Sequence, residues 1–133
     1  MNEVLKFLQD NHTFYIATVE GDKPKVRPFG FIMEYEGKLY FCTNNEKNVY
    51  KQLKANPNFE VSTTNANGEW IRLKGRAVFD NNPAAKAKVF EVAPALANLY
   101  KSPDNPIFEV FYLEDGEAAF YSMTSPSPRI VKL

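Results

Sequence analysis

The sequence predicts a mainly β chain with small helices, folded as one antiparallel barrel across residues 1–133. Short β-branched and aromatic runs follow one another through turn residues, while few segments carry helical periodicity. That order argues against alternating βα units and a doubly wound parallel sheet. Closing an antiparallel sheet on itself also removes its exposed edges. With 44% hydrophobic and 14% aromatic residues, the chain has the material for a packed core.

Asn2–Asp10 reads as a helix, because Asn2 can cap it, Glu3 suits its first turn and Val4, Leu5 and Leu8 share a face. Thr13–Val19 is a strand, ended by the turn residues Glu20-Gly21-Asp22-Lys23-Pro24. Lys25–Tyr35 is the next strand, and Glu36-Gly37 is a tight turn into Lys38–Thr43. The period then changes. Glu46–Ala55 places Val49 with Leu53 and Lys47 with Lys51 at helical spacing, with Asn44 or Asn45 as cap and Asn56-Pro57 as stop. Phe59–Thr64 and Glu69–Phe79 form a hairpin through Asn65-Ala66-Asn67-Gly68. Pro83–Val92 is helical, with proline at the permissive first position, and Pro94–Lys101 is a short helix before the loop Ser102–Pro106. Ile107–Leu113 and Ala118–Met123 read as a hairpin turning at Glu114-Asp115-Gly116. Ser125–Pro128 is a loop, and Arg129–Leu133 returns as a short strand.

Composition excludes several functional classes. Sixteen basic residues balance sixteen acidic ones, so bulk electrostatics give no affinity for nucleic acid. A single cysteine, Cys42, allows no intrachain disulfide and suits a reducing compartment. One cysteine and one histidine, His12, are too few for a thiolate- and imidazole-rich zinc site, so no metal is expected. No apolar run approaches the roughly 20 residues that span a bilayer, and no charged-then-apolar leader opens the chain. The expectation is a soluble cytoplasmic domain without a membrane or nucleic-acid partner. Phosphate-binding glycine loops, nucleophile elbows and His-Glu-x-x-His motifs are absent.

Three stretches carry chemistry. In Lys25-Val26-Arg27-Pro28-Phe29-Gly30-Phe31, a proline and a glycine interrupt a strand, which marks a bend, a bulge or a ligand lying against the backbone. Arg27, Phe29 and Phe31 fall on one face at the two-residue period and offer a guanidinium and aromatic surface to a planar anion; a barrel corner with an exposed arginine accounts for the same residues. Tyr40–Asn48 runs from a strand through Thr43 and Asn44 into a helix start, where unpaired N–H groups favour an anion. Lys47 in that first turn opposes the helix dipole unless an anion is present; ordinary capping by asparagine with a solvated lysine accounts for the same residues. In Trp70-Ile71-Arg72-Leu73-Lys74-Gly75-Arg76, an aromatic and three cations alternate onto one face, fit for a flavin, a nucleobase or a partner subunit; a solvated polar face accounts equally for Lys74 and Arg76. Cys42 reads as a small buried hydrophobe and His12 as a helix-end cation.

In this order, Ala17-Thr18-Val19, Gly21-x-x-Pro24-x-x-Arg27-Pro28, Tyr40-Phe41-x-Thr43-Asn44, Gln52-Leu53-x-x-Asn56-Pro57 and Trp70-x-x-x-x-Gly75-x-Ala77 resemble the pyridoxamine 5′-phosphate oxidase-like superfamily of flavin-binding split β-barrels. Length and the Arg-Pro-Phe-Gly pattern are most similar to its small branch of nitroimidazole-resistance proteins. The resemblance implies a homodimer with FMN in grooves between the chains. Arg27 would hold the phosphate, with Lys47 and Asn48 at the family's Ser-Arg positions. Pro28, Phe29 and Gly30 would run beneath the isoalloxazine, and Thr43 and Asn44 would meet its polar edge or ribityl chain. Trp70 would stand where a glutamine of the second chain approaches the flavin. Val49 replaces the oxidases' phosphate lysine, leaving Lys47 or Lys51 to substitute, and the oxidases' C-terminal Arg-x-His segment is missing.

The expected function is therefore an FMN-dependent oxidoreductase of an unidentified small molecule. A flavin carrier, a redox sensor, and a haem or deazaflavin binder on the same fold are the alternatives. Dimerisation has a physical motive too, since the aromatic strands Phe29–Tyr35 and Phe108–Tyr112 carry more apolar surface than one small core covers.

Overall fold

A computed structural model describes residues 1–133. Eight strands, β1 (Phe14–Glu20), β2 (Lys23–Phe29), β3 (Met33–Tyr35), β4 (Lys38–Asn44), β5 (Asn58–Thr64), β6 (Trp70–Asp80), β7 (Phe108–Tyr121) and β8 (Arg129–Lys132), form one antiparallel sheet. The helices are α1 (Asn2–Asp10), α2 (Asn48–Ala55), α3 (Pro83–Val92) and α4 (Ala97–Tyr100), the last preceded by the 3₁₀ turn Pro94–Leu96. No helix is long and apolar enough to cross a membrane.

The strand order β2-β1-β5-β6-β7-β4-β3 puts β2 and β3 at opposite ends of the sheet, with β8 added beside β7. Only Gly30–Ile32 connect those two end strands. Four residue steps reach no more than about 14 Å, so the sheet must curl until its ends nearly meet. The result is a barrel split along the β2/β3 seam.

Two expected strand assignments are corrected here. Lys25–Tyr35 is not one strand: it breaks at Gly30, and its halves serve opposite edges. Ile107–Leu113 and Ala118–Met123 are not a hairpin, since β7 continues through Glu114-Asp115-Gly116. Lys74 faces Glu117 and Arg76 faces Glu114, so Gly75 stands against two residues of β7 in a bulge. Asp115, at φ 56°, takes the positive φ that also suits a turn. The tight turn at Glu36-Gly37 is present, with φ 50° and 79° as a two-residue hairpin requires.

The barrel interior is filled by the inward residues of β1, β4, β5, β6 and β7, among them Phe14, Ile16, Phe41, Val61, Leu73 and Phe111, with α1 and α2 closing over them. Phe41 and Phe111 stack at 5.2 Å. A second core lies outside the barrel, where Ala85, Val89 and Tyr100 of α3 and α4 cover Tyr40, Phe108 and Val110. β4 and β7 thus bury both faces, which explains their near-continuous apolar sequence.

Candidate functional site

The seam opens into a cleft of about 470 Å³. One wall is Arg27, Pro28, Phe29, Gly30 and Phe31, from the end of β2 and its connector. Opposite stand Cys42 and Thr43 of β4, with Lys47 and Val49 at the start of α2. Ala93, Ala95, Leu96, Leu99 and Tyr100 form an apolar overhang.

Strand alternation turns Arg27 inward. It faces Ile16 across the β1–β2 ladder, on the same side as Thr18. Its guanidinium donates to Thr18 Oγ1 at 2.7 Å, Gln52 Oε1 at 2.6 Å and the Ile16 carbonyl at 3.3 Å. All three acceptors are neutral, and Arg27 forms no ion pair. Burial lowers its pKa from the ordinary arginine value without making it neutral.

The entry to α2 differs from expectation. The helix begins at Asn48 rather than Glu46, and Lys47, not Asn44 or Asn45, is its N-cap. Asn44 instead accepts the Glu46 N–H at 3.1 Å and donates to the Tyr100 hydroxyl at 3.1 Å. Asn45 is drawn to β7 and its approach, donating to Pro106 O and Glu109 Oε2 at 2.9 Å each. A lysine cap has no side-chain acceptor, so the first-turn N–H groups receive none. Arg27, Lys47 and an uncapped helix start therefore all border this cleft.

Of the residues singled out in the sequence, Arg27, Pro28, Phe29, Gly30, Thr43 and Lys47 line this cleft together. Asn44 adjoins it through Tyr100, and Asn48 opens α2 beside Lys47. Lys51 lies elsewhere, in a groove with Glu20 and Gln52. Trp70 is outside the cleft lining, stacked on Tyr121 at 5.3 Å, with Arg72 over the same Tyr121 ring. Thr18, Gln52 and the overhang were not among the expected site residues. Thr18 and Gln52 had a signal: each puts a polar side chain on an otherwise apolar buried face.

Two further observations test whether the cleft suits a polar, anionic group. Thr43 Oγ1 is buried without any hydrogen-bond partner, an orphan that a bound molecule would satisfy. Burial pushes the Cys42 thiol up to about 12, so the sulfur facing the cleft is a neutral thiol rather than a nucleophile. A phosphate tail on Arg27 and Lys47 and a polar-edged ring near Thr43 fit these groups.

The pyridoxamine 5′-phosphate oxidase family model matches residues 1–120. A NimC/NimA family protein of Clostridium acetobutylicum is 43% identical over 100% of this chain and 92% of its own, with a TM-score of 0.94. General Stress Protein 26 of Bacillus anthracis has a TM-score of 0.77 at 19% identity, over 99% of this chain and 97% of its own. A pyridoxamine 5′-phosphate oxidase-related FMN binding protein of Nostoc punctiforme reaches 0.71 at 18% identity, over 97% and 87%. No curated protein matches the chain. Split sheet, cleft and sequence agree: this chain belongs to the pyridoxamine 5′-phosphate oxidase-like superfamily, in its small NimC/NimA branch.

Proposed function

We propose that this protein is an FMN-binding oxidoreductase, working in the cytoplasm on a small molecule, with its flavin held between two subunits. The observation that carries the reading is Arg27, an inward-facing guanidinium without a carboxylate partner, lining a cleft that Lys47 and an uncapped helix start also border. Arg27, Lys47 and the first turn of α2 with Asn48 would bind the phosphate. The backbone of Pro28, Phe29 and Gly30 would lie under the ring, and Thr43, with Asn44 beside it, would satisfy its polar edge. FMN, when bound, supplies electron transfer. The protein's own residues bind, orient and exclude water, which accords with a cleft whose thiol is neutral and which has no paired carboxylates.

The partner would pack on the outer face of β1 and β2. Three cross-strand pairs there are apolar on the solvent side: Tyr15 with Pro28, Ala17 with Val26 and Val19 with Pro24. Tyr15 is 50% exposed and Val26 68%. This face runs into the cleft at Pro28 and shares its side of the sheet with Trp70, so a second copy seated on it would cover the cleft and bring Trp70 toward it.

Titration of FMN into the apo protein tests the reading. Wild type should bind FMN, and Arg27→Ala should weaken binding roughly ten- to hundredfold, as loss of a charged hydrogen bond implies. Equal affinities would remove Arg27 from the site.

A further inference from the structure

Gln52, a neutral amide, occupies the position beside the half-buried Arg27 guanidinium where a carboxylate would form an ion pair. It lies on the inner face of α2 between Val49 and Leu53 and is 5% exposed. Its Oε1 accepts from both Arg27, at 2.6 Å, and the Thr18 hydroxyl, at 2.6 Å. Thr18, 2% exposed, accepts in turn from Arg27. The nearest acid in the network, Glu20, is one step removed: it accepts from Gln52 Nε2 at 3.4 Å, and its other oxygen lies 3.9 Å from Lys25. The amide orientation is thereby set, with nitrogen toward Glu20 and oxygen toward Arg27.

Three of the five guanidinium N–H groups are used in this clamp, and two remain. We propose that Gln52, supported by Thr18, is the positioning residue that fixes Arg27 for a phosphate while leaving its positive charge uncompensated, so that this amide sets selectivity for the phosphorylated over the unphosphorylated flavin. A glutamate in its place would reach the same guanidinium and neutralise it from inside the fold, leaving only Lys47 and the helix start to draw an anion. A methionine would keep the volume and drop the acceptor, freeing the guanidinium to turn away.

The inference rests on the flavin reading above, and the test separates the two. FMN and riboflavin are titrated into apo wild type, Gln52→Glu and Gln52→Met, with thermal unfolding recorded for each. Inorganic phosphate is added as a competitor of FMN. Wild type should prefer FMN, with phosphate competing. Gln52→Glu should lose about tenfold or more in FMN affinity. Its riboflavin affinity should stay within about twofold, because the ring contacts lie elsewhere. Gln52→Met should shift selectivity the same way, and it decides the matter if the buried glutamate prevents folding. A purely structural role would lower both affinities together, and that result, or unchanged FMN binding, overturns the inference while leaving the flavin reading intact. Wild type that binds neither flavin would overturn both.

Discussion

Arg27 is legible in the sequence because Pro28 and Gly30 follow it, and a strand tolerates neither without a reason. Its inward orientation was less legible. Pairing of Arg27 with Ile16 decides it, and that pairing is a property of the sheet, not of the local run. The same holds for the choice between Lys47 and Lys51, four residues apart at the start of α2: Lys47 lines the cleft, whereas Lys51 lines a separate groove with Glu20 and Gln52. Gln52 and Thr18 were readable in principle as polar interruptions of buried apolar stripes, yet the pattern alone does not name the group they serve. Cys42, expected to be a small buried hydrophobe, is instead half-buried in the cleft wall, and its chemistry follows from that apolar setting. With its thiol pushed up to about 12, the thiolate is scarce at neutral pH. Alkylation of native protein by iodoacetamide at pH 8 should be slow, and rapid after unfolding in denaturant. Equal rates would show that the cleft wall does not exclude water from the sulfur.

Among the elements, α1, α3, β5, β6 and β8 lie close to where periodicity and turn residues place them. Elsewhere one local chemistry serves two structures. Glu114-Asp115-Gly116 has the residues of a reversal, but the long partner β6 holds β7 straight, and the same positive-φ capacity goes into a bulge. The α2 start was misplaced because asparagines favour caps, whereas here they bond to β7 and Tyr100 and leave a lysine at the cap. The bulge yields a sharp prediction. A Cβ on Gly75 would collide with Leu113 Cδ1 and lie 2.8 Å from the Glu114 carbonyl oxygen. The side chain can turn aside; the backbone oxygen cannot. Gly75→Ala should cost about 1–3 kcal/mol of stability in denaturant unfolding. A midpoint equal to wild type would mean that the bulge relaxes freely.

For the whole molecule, the barrel was readable from many short strands, and the position of its split from the Pro-x-Gly break, once β2 and β3 occupy opposite sheet ends. Assembly is a property of surfaces that strand alternation exposes. The apolar ladder on β1 and β2 predicts that Val26→Lys, a change at a 68% exposed position, leaves the protomer folded but yields monomers by sedimentation. Retained dimers would move the interface to another face. Trp70 gives a second check. It lies outside the cleft of its own chain, so quenching of its emission on FMN binding requires the partner's approach; quenching that persists in a Val26→Lys monomer would contradict that geometry.

The central claim, one FMN per chain held in a cleft completed by a second copy, is tested most directly by sedimentation velocity with detection in the flavin's visible band. Flavin absorbance should travel with a species of twice 15.2 kDa, in a ratio of one FMN to each chain. Flavin left at the meniscus, or flavin moving with a 15.2 kDa protomer, would contradict the account.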